Sequence, residues 1–147
     1  MATELTIKIP GKPQSWQAHE HGKTKGRKYL PAESREYQER IAKYAKLAMK
    51  GLPPIKELCY VETLFVFAAP KKLAPRVAEH RALLERLNAG ELLPRRFRPD
   101  GDNLISNVWD GIKGIVIEDD DLICDWGGSK RIGKEPMTVV TITEIEK

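Results

Sequence analysis

Apolar and polar residues alternate along three stretches of the chain, and each alternation predicts a β-strand. The first stretch, ELTIKIP, carries an apolar residue at every second position and ends at Pro10. The second, LCYVETLFVFAA, is apolar at both sets of alternate positions, which predicts a central strand covered on both faces. The third, MTVVTITEIE, lies close to the C-terminus. These stretches predict a sheet with the second stretch near its middle.

Apolar residues at helical spacing predict three helices. The first runs from about Ala32 to Lys50, with Pro31 just before it. The second lies within APRVAEHRALLERLNAG and stops at Gly90. The third is DNLISNVWDGIKG, whose apolar residues share one face and which Gly114 closes. After it, the short run IVI predicts a further strand, which ends in the acidic run EDDD.

The order of these elements predicts an α+β fold in a single domain, residues 1–147, with a mixed β-sheet packed by helices on one side. The segment at about 72–95 is expected to be a helical insertion over the sheet. A domain of 147 residues buries roughly two-thirds of its unfolded surface. Its core therefore requires neither a disulfide nor a structural metal.

The apolar stretches and the cysteines indicate a cytoplasmic protein. No run of about eighteen or more apolar residues occurs, so no membrane span is expected. The first residues, MATELTIKIPG, alternate and carry an early acid, which is not typical of a signal peptide. Cys59 and Cys124 lie far apart in strand-like surroundings, and we interpret both as small buried hydrophobic residues in a reducing compartment.

Charge is divided unevenly along the chain. From Arg96 to Asp125 there are eight acidic and three basic residues, a net charge of −5. The remainder carries 22 basic and 13 acidic residues, a net charge of +9. An acidic pocket in a basic body is typical of a metal-dependent enzyme that acts on a polyanion. Chance segregation of charge, or an acidic loop that serves only protein contacts, is the alternative.

Two acidic clusters could form a metal site. Asp100 and Asp102 stand two residues apart after Pro99, so in an extended segment both carboxylates point the same way. Asp102 alone could instead cap the following helix. The second cluster is Glu118–Asp121. If folding brings the two clusters together, their oxygens suit Mg²⁺, which can assist phosphodiester hydrolysis.

Other metal sites fit the sequence less well. DGDN resembles the start of a calcium loop, but Leu104 and Ile105 occupy positions where that loop needs a ligand and a glycine. Asp110 lies eight residues after Asp102, a helical rise of about 12 Å, so we assign it a structural hydrogen-bonding role. The histidines lack further ligands at zinc spacing; they are His19, His21 and His80.

The stretch RPDGDNLISNVWDGIKGIVIEDDDLI resembles the signature of the RusA family of Holliday junction resolvases, and the resemblance covers most of the chain outside Lys72–Arg95. It implies a RusA-like fold and a homodimeric endodeoxyribonuclease of the crossover junction type. Such an enzyme would resolve four-way junctions and related branched DNA by paired phosphodiester hydrolysis. It also implies Mg²⁺, with Mn²⁺ as an alternative, held by the catalytic residues Asp100, Asp102 and Asp120. A prophage origin is a further implication.

One position departs from the family pattern. The family's lysine, near the metal cluster, falls on Ser106. Either another base such as Lys130 takes that role, or the protein is a catalytically impaired junction-binding protein. Because the acidic run is EDDD, Asp119 and Asp121 stay open as alternatives to Asp120.

Basic residues expected to bind DNA phosphates lie in the first loop, after the central strand, before the acidic pocket and near the C-terminus. They are Lys12, Lys23, Lys25, Arg27, Lys28, Lys71, Lys72, Arg95, Arg96, Arg98 and Lys130. A solvated charged loop is the alternative for HGKTKGRK. Trp16 could stack on a base or pack against the sheet, whereas Trp109 is expected in the core.

Overall fold

A four-stranded sheet and three helices make up most of the computed structural model, which describes residues 4–15, 19–20, 28–29, 32–70, 73–94 and 101–145. The elements are β1 (Glu4–Pro10), β2 (His19–Glu20), β3 (Lys28–Tyr29), α1 (Ala32–Met49), β4 (Cys59–Ala68), α2 (Ala78–Asn88), α3 (Gly101–Ile112), a 3₁₀ turn (Asp120–Leu122), β5 (Ile123–Gly133) and β6 (Met137–Glu144).

The sheet is mixed and has the strand order β1-β6-β4-β5. β6 pairs antiparallel with both β1 and β4, whereas β5 pairs parallel with β4. A parallel pair needs a long crossover connection, which here contains α2 and α3. The predicted α+β fold in one domain is therefore confirmed, and so is the central position of β4.

One face of the sheet forms the core. Ile7, Val61, Phe65 and Val140 are buried on this face because alternate residues of a strand point to the same side. α1 and α3 pack there. On the opposite face of β4 Val66 is buried as well, and most other residues are partly buried. The prediction that β4 is covered on both faces is therefore confirmed for the face that the helices cover and, at Val66, for the other face.

α1 and α3 contact each other at a glycine. The apolar stripes predicted for the two helices are buried; they include Tyr37, Ile41, Ala45, Leu104, Val108 and Ile112. A Cβ atom on Gly111 would lie 2.8 Å from Cγ2 of Ile41, so only glycine permits this separation. Each fully buried aliphatic side chain contributes about 1.5–3 kcal/mol relative to an exposed one.

The predicted second helix is α2, and Gly90 follows it with a φ of 91°. Leu87 of α2 is buried in the same core cluster as the sheet residues. This contact ties the helix to the sheet. That the surrounding segment is an insertion stays a prediction.

The sequence prediction around IVI is wrong. Ile115–Ile117 form a turn, in which Ile117 makes only isolated bridges to Ile55 and Lys113, and the acidic run precedes a strand instead of ending one. The strand that follows, β5, was not predicted. It lies at the sheet edge, and a run of exposed residues that includes Cys124 interrupts any regular period in its sequence. Cys59 is buried as predicted, whereas Cys124 is exposed, which corrects its interpretation as a buried residue.

Candidate metal and nucleic-acid site

Asp102 lies in the first described turn of α3 and is exposed. Its carboxylate accepts a hydrogen bond from the backbone N–H of Asn103 at 2.9 Å. Because Asp102 itself is helical, the alternative that it is the N-cap is wrong. Asp100 lies outside the described residues and precedes Gly101 by one position in the chain. Asp102 therefore presents one carboxylate to solvent at the beginning of the helix.

Ser106 follows Asp102 by one helical turn and is also exposed. Its hydroxyl donates a hydrogen bond to the backbone carbonyl of Asp102 at 3.0 Å. A serine that bonds back to the carbonyl four residues earlier is a common local arrangement in helices. The side chain carries no charge, so it cannot provide the cation of a lysine at this position.

The second acidic cluster lies beside the end of α3. Nζ of Lys113 is 3.5 Å from Oδ1 of Asp119. A side-chain hydrogen bond with Asp120, together with the positive charge of Lys113, lowers the pKa of Asp119. The negative charges of Asp119 and Asp120 in turn raise the pKa of Lys113. Asp119 is thus engaged by both Lys113 and Asp120, and the choice of Asp120 over Asp119 or Asp121 as a metal ligand stays a prediction.

Asp110 is close enough to Asp120 for the two charges to interact. Burial, and next the negative charge of Asp120, raise the pKa of Asp110. Asp110 lies about two helical turns from Asp102, as predicted, since α3 is continuous between them. The approach of Asp110 to Asp120 was not predicted from the sequence. The only available signal was the glycine turn at Gly114, which returns the chain toward the helix end.

Asp102 and Asp120 thus lie toward opposite ends of α3. The helical rise from Asp102 to Asp110, the neighbour of Asp120, is about 12 Å. Among the described residues no three His, Cys, Asp or Glu side chains lie close enough to hold one ion. The donors fit Mg²⁺ in their chemistry, because carboxylate oxygens are its preferred protein ligands. Convergence of Asp100, Asp102 and Asp120 on one ion stays a prediction, since Asp100 is not described.

α3 packs along β5 through two contacts. The rings of Trp109 and Trp126 meet edge to face, with centroids 5.6 Å apart. A Cβ atom on Gly128 would lie 3.0 Å from Cδ1 of Ile105. Trp109 packs against the core, as expected. Trp126, in contrast, leaves 58% of its surface exposed, so the aromatic pair forms part of the surface between the two acidic positions.

Two of the predicted DNA-binding lysines lie toward the same end of the sheet. Lys130 pairs with Phe65, which pairs through Thr138 with Ile9, so these residues form one row across the sheet. Lys12 follows Ile9 by three residues, and its backbone carbonyl accepts a hydrogen bond from Arg40 at 2.9 Å.

For Lys28 only the backbone, in β3, is described. The remaining predicted bases and Trp16 lie outside the described residues. These bases are Lys23, Lys25, Arg27, Lys71, Lys72, Arg95, Arg96 and Arg98.

A mixed sheet that carries an acidic helix beside lysines is consistent with an enzyme that acts on nucleic acid. A family model described as Endodeoxyribonuclease RusA matches residues 10–143, so the chain belongs to the RusA endodeoxyribonuclease family. Membership implies an endonuclease that resolves Holliday junctions and binds branched DNA, and enzymes of this family generally depend on a divalent metal. The chain has no significant match among curated proteins. In the described ranges no helix is both long and apolar enough to cross a bilayer.

Proposed function

We propose that this protein is a Mg²⁺-dependent endodeoxyribonuclease that cuts four-way DNA junctions by paired phosphodiester hydrolysis, with Mn²⁺ as an alternative metal. The main support for the proposal is that the family match includes α3 and the aspartates near its two ends. The matched residues 10–143 include Asp102 in its first turn and Asp120 beyond its end. Both carboxylates are at least partly exposed, so an ion and a phosphate group can reach them.

Asp100, Asp102 and Asp120 would hold the ion. A divalent ion bound there would neutralise negative charge on the phosphodiester that is cleaved. The three carboxylates would fix the position of the bound ion relative to the DNA. The bases Arg95, Arg96 and Arg98 directly precede Asp100 in the sequence and would hold the DNA backbone at this point.

A homodimer accounts for the separation of the acidic groups. Within one chain the helical rise from Asp102 to Asp110, the residue whose charge interacts with that of Asp120, is about 12 Å, which is long for two ligands of a single ion. A two-fold axis that sets two α3 helices antiparallel would bring Asp102 of one copy near Asp120 of the other. Closed two-fold symmetry is the commonest arrangement of homo-oligomers. It would also present two equivalent sites to a branched substrate, as paired cleavage requires.

Mixing two inactive variants tests this dimer. Asp102→Asn and Asp120→Asn should each abolish cleavage, but a mixed dimer contains one site in which both aspartates are intact. We expect the mixture to regain single-strand nicking of a four-way junction. If the mixture stays as inactive as its components after subunit exchange has been demonstrated, the shared-site dimer is wrong.

A second candidate is a protein that binds junctions without cutting them efficiently. Ser106 favours it, because the hydroxyl bonds to the Asp102 carbonyl and supplies no positive charge. Incubating an end-labelled four-way junction with the protein and Mg²⁺, and measuring both nicking and binding, distinguishes the two functions. Symmetric nicks support the nuclease, whereas tight binding without nicks supports the second candidate.

The nuclease proposal is tested by Asp102→Asn with Asp125→Asn as the matched control. Asp125 is also exposed but pairs with Tyr60 on β4, away from the first turn of α3. Asp102→Asn should lower the cleavage rate by about 100-fold or more, since it removes a metal ligand. The junction should remain bound, because the change also removes a negative charge that would repel the DNA. Asp125→Asn should cleave like the wild type. Normal cleavage by Asp102→Asn would refute the proposal.

A further inference from the structure

The N-terminal half of α3 lacks a positive charge of its own. Residues 101–112 contain neither lysine nor arginine, and the next residue, Lys113, is engaged by Asp119. A phosphodiester that is cleaved beside Asp102 develops additional negative charge in the transition state. Fixed positive charge placed where that charge develops is one of the larger contributions to such catalysis. The cation that stabilises this charge would therefore come from an element that packs against the first turn of α3.

β5 runs antiparallel to α3 and provides this element. Trp126 contacts Trp109, and two residues further along β5 Gly128 lies under Ile105, four residues earlier in α3. Two strand residues advance the chain by about 6.6 Å, and four helical residues advance it by about 6 Å. Successive contacts therefore advance by similar distances along the strand and the helix. Two residues after Gly128, the next contact position on β5 is Lys130, level with the first turn of α3.

The side chain of Lys130 belongs to the face of β5 that the helix covers. Residues two apart in a strand point to the same side, so Lys130 shares its side with Trp126 and Gly128. Lys130 also pairs with Phe65, which is buried in the helix-facing core. It is partly buried, and a partly buried lysine can pack its aliphatic stem while its ammonium group extends toward polar surroundings.

Arg131, the next residue, provides a contrast. It pairs with Val66 and so belongs to the opposite face of the sheet. Its guanidinium Nη1 donates a hydrogen bond to the backbone carbonyl of Lys130 at 2.8 Å. Two neighbouring cations of β5 thus differ in the face from which they project. Only Lys130 belongs to the side on which α3 packs.

We propose that Lys130 is a catalytic residue whose ammonium group contacts the phosphate that is cleaved beside Asp102 and stabilises its negative charge in the transition state. The proposal rests on the proposed nuclease function. It places the required cation on the sheet, whereas the helix carries the uncharged Ser106 one turn after Asp102. The ammonium group acts as a fixed charge, and no proton transfer is assigned to it.

The test compares Lys130→Ala with Arg131→Ala in single-turnover cleavage of a labelled four-way junction, with the junction dissociation constant measured separately. Lys130→Ala should lower the cleavage rate by about 100-fold and change the dissociation constant by much less. Arg131→Ala should cleave at close to the wild-type rate. Lys130→Met, which keeps an unbranched apolar stem, should show the same loss as Lys130→Ala and controls for altered packing.

A rescue experiment makes the test specific. Adding Ser106→Lys to Lys130→Ala supplies an ammonium group one turn from Asp102 and should restore part of the cleavage rate. Wild-type cleavage by both Lys130 variants would overturn this inference and leave the nuclease function intact. An equal loss of binding and cleavage would also overturn it, because Lys130 would then only hold DNA. A wild-type protein that does not cut junctions would overturn both proposals.

Discussion

Lys113 and Asp119 form an ion pair across the turn that follows α3, with Nζ and Oδ1 3.5 Å apart. Both side chains are about half exposed, 48% and 49%, so the pair contributes little to stability. The pair is important because of where it lies, between the end of α3 and the acidic run. The pair fixes the beginning of the acidic run against the helix end and engages one carboxylate of Asp119–Asp121. Asp120 stays the proposed ligand, with Asp119 and Asp121 as the alternatives.

Replacing the aspartates of this run one at a time identifies the ligand. Asp120→Asn should lose junction cleavage, because it removes a proposed metal ligand. Asp119→Asn should keep most of its cleavage, since it removes a partly exposed partner of Lys113 and Asp120 and not the proposed ligand. Initial nicking rates at saturating Mg²⁺ provide the measurement, with Asp125→Asn as the control. An Asp119→Asn variant as defective as Asp120→Asn would show that the assignment is wrong.

The hydroxyl groups of Tyr37 and Thr138 form a buried hydrogen bond between α1 and β6, with oxygens 2.5 Å apart. Tyr37→Phe leaves the Thr138 hydroxyl without this partner, and the cost should be about 1–3 kcal/mol in the free energy of unfolding. Replacing both residues, as Tyr37→Phe with Thr138→Val, should cost less than the sum of the two single changes. Urea unfolding of the four proteins measures this coupling; strictly additive changes would show that the bond does not contribute.

Gly111→Ala tests the close approach of α1 and α3. Alanine is the better helix former, by about 1 kcal/mol, but its Cβ would lie 2.8 Å from Cγ2 of Ile41. We expect the overlap to dominate and to lower the free energy of unfolding by about 1–3 kcal/mol. Gly101→Ala is the matched control, because an added Cβ there meets no atom within 4 Å. Equal stability of the two variants in urea would contradict this packing.

The two thiols should react very differently with a thiol reagent such as DTNB. Burial, and next the negative charge of Glu144, raise the pKa of Cys59 to about 11, whereas Cys124 is exposed. At pH 8 the folded protein should therefore show one fast thiol, which Cys124→Ser removes. Because folding favours the protonated Cys59, its contribution to stability is complete below about pH 9 and is lost as the pH rises through about 11. Two equally fast thiols in the folded protein would contradict this arrangement.

The sequence predicted those elements whose apolar residues face the core at a regular period. α1, α3, β1 and β6 each bury one stripe or one face, so their periodicity is visible. β5 escaped prediction because its buried and exposed residues follow no regular period. For the site, the position of Asp102 near the start of α3 could be read from the chain. The approach of Asp120 to Asp110 could not, since it depends on the three-dimensional path of the turn between them.

We propose that carboxylates at the two ends of α3 bind a divalent ion that is needed to cut branched DNA. The most direct measurement is the rate of paired nicking of a labelled four-way junction as Mg²⁺ is titrated into metal-free protein. We predict a rate that rises from zero to saturation, with nicks at symmetric positions in opposing strands, and no such rise for Asp102→Asn. Cleavage that persists in EDTA, or an identical Mg²⁺ titration for Asp102→Asn, would contradict the claim.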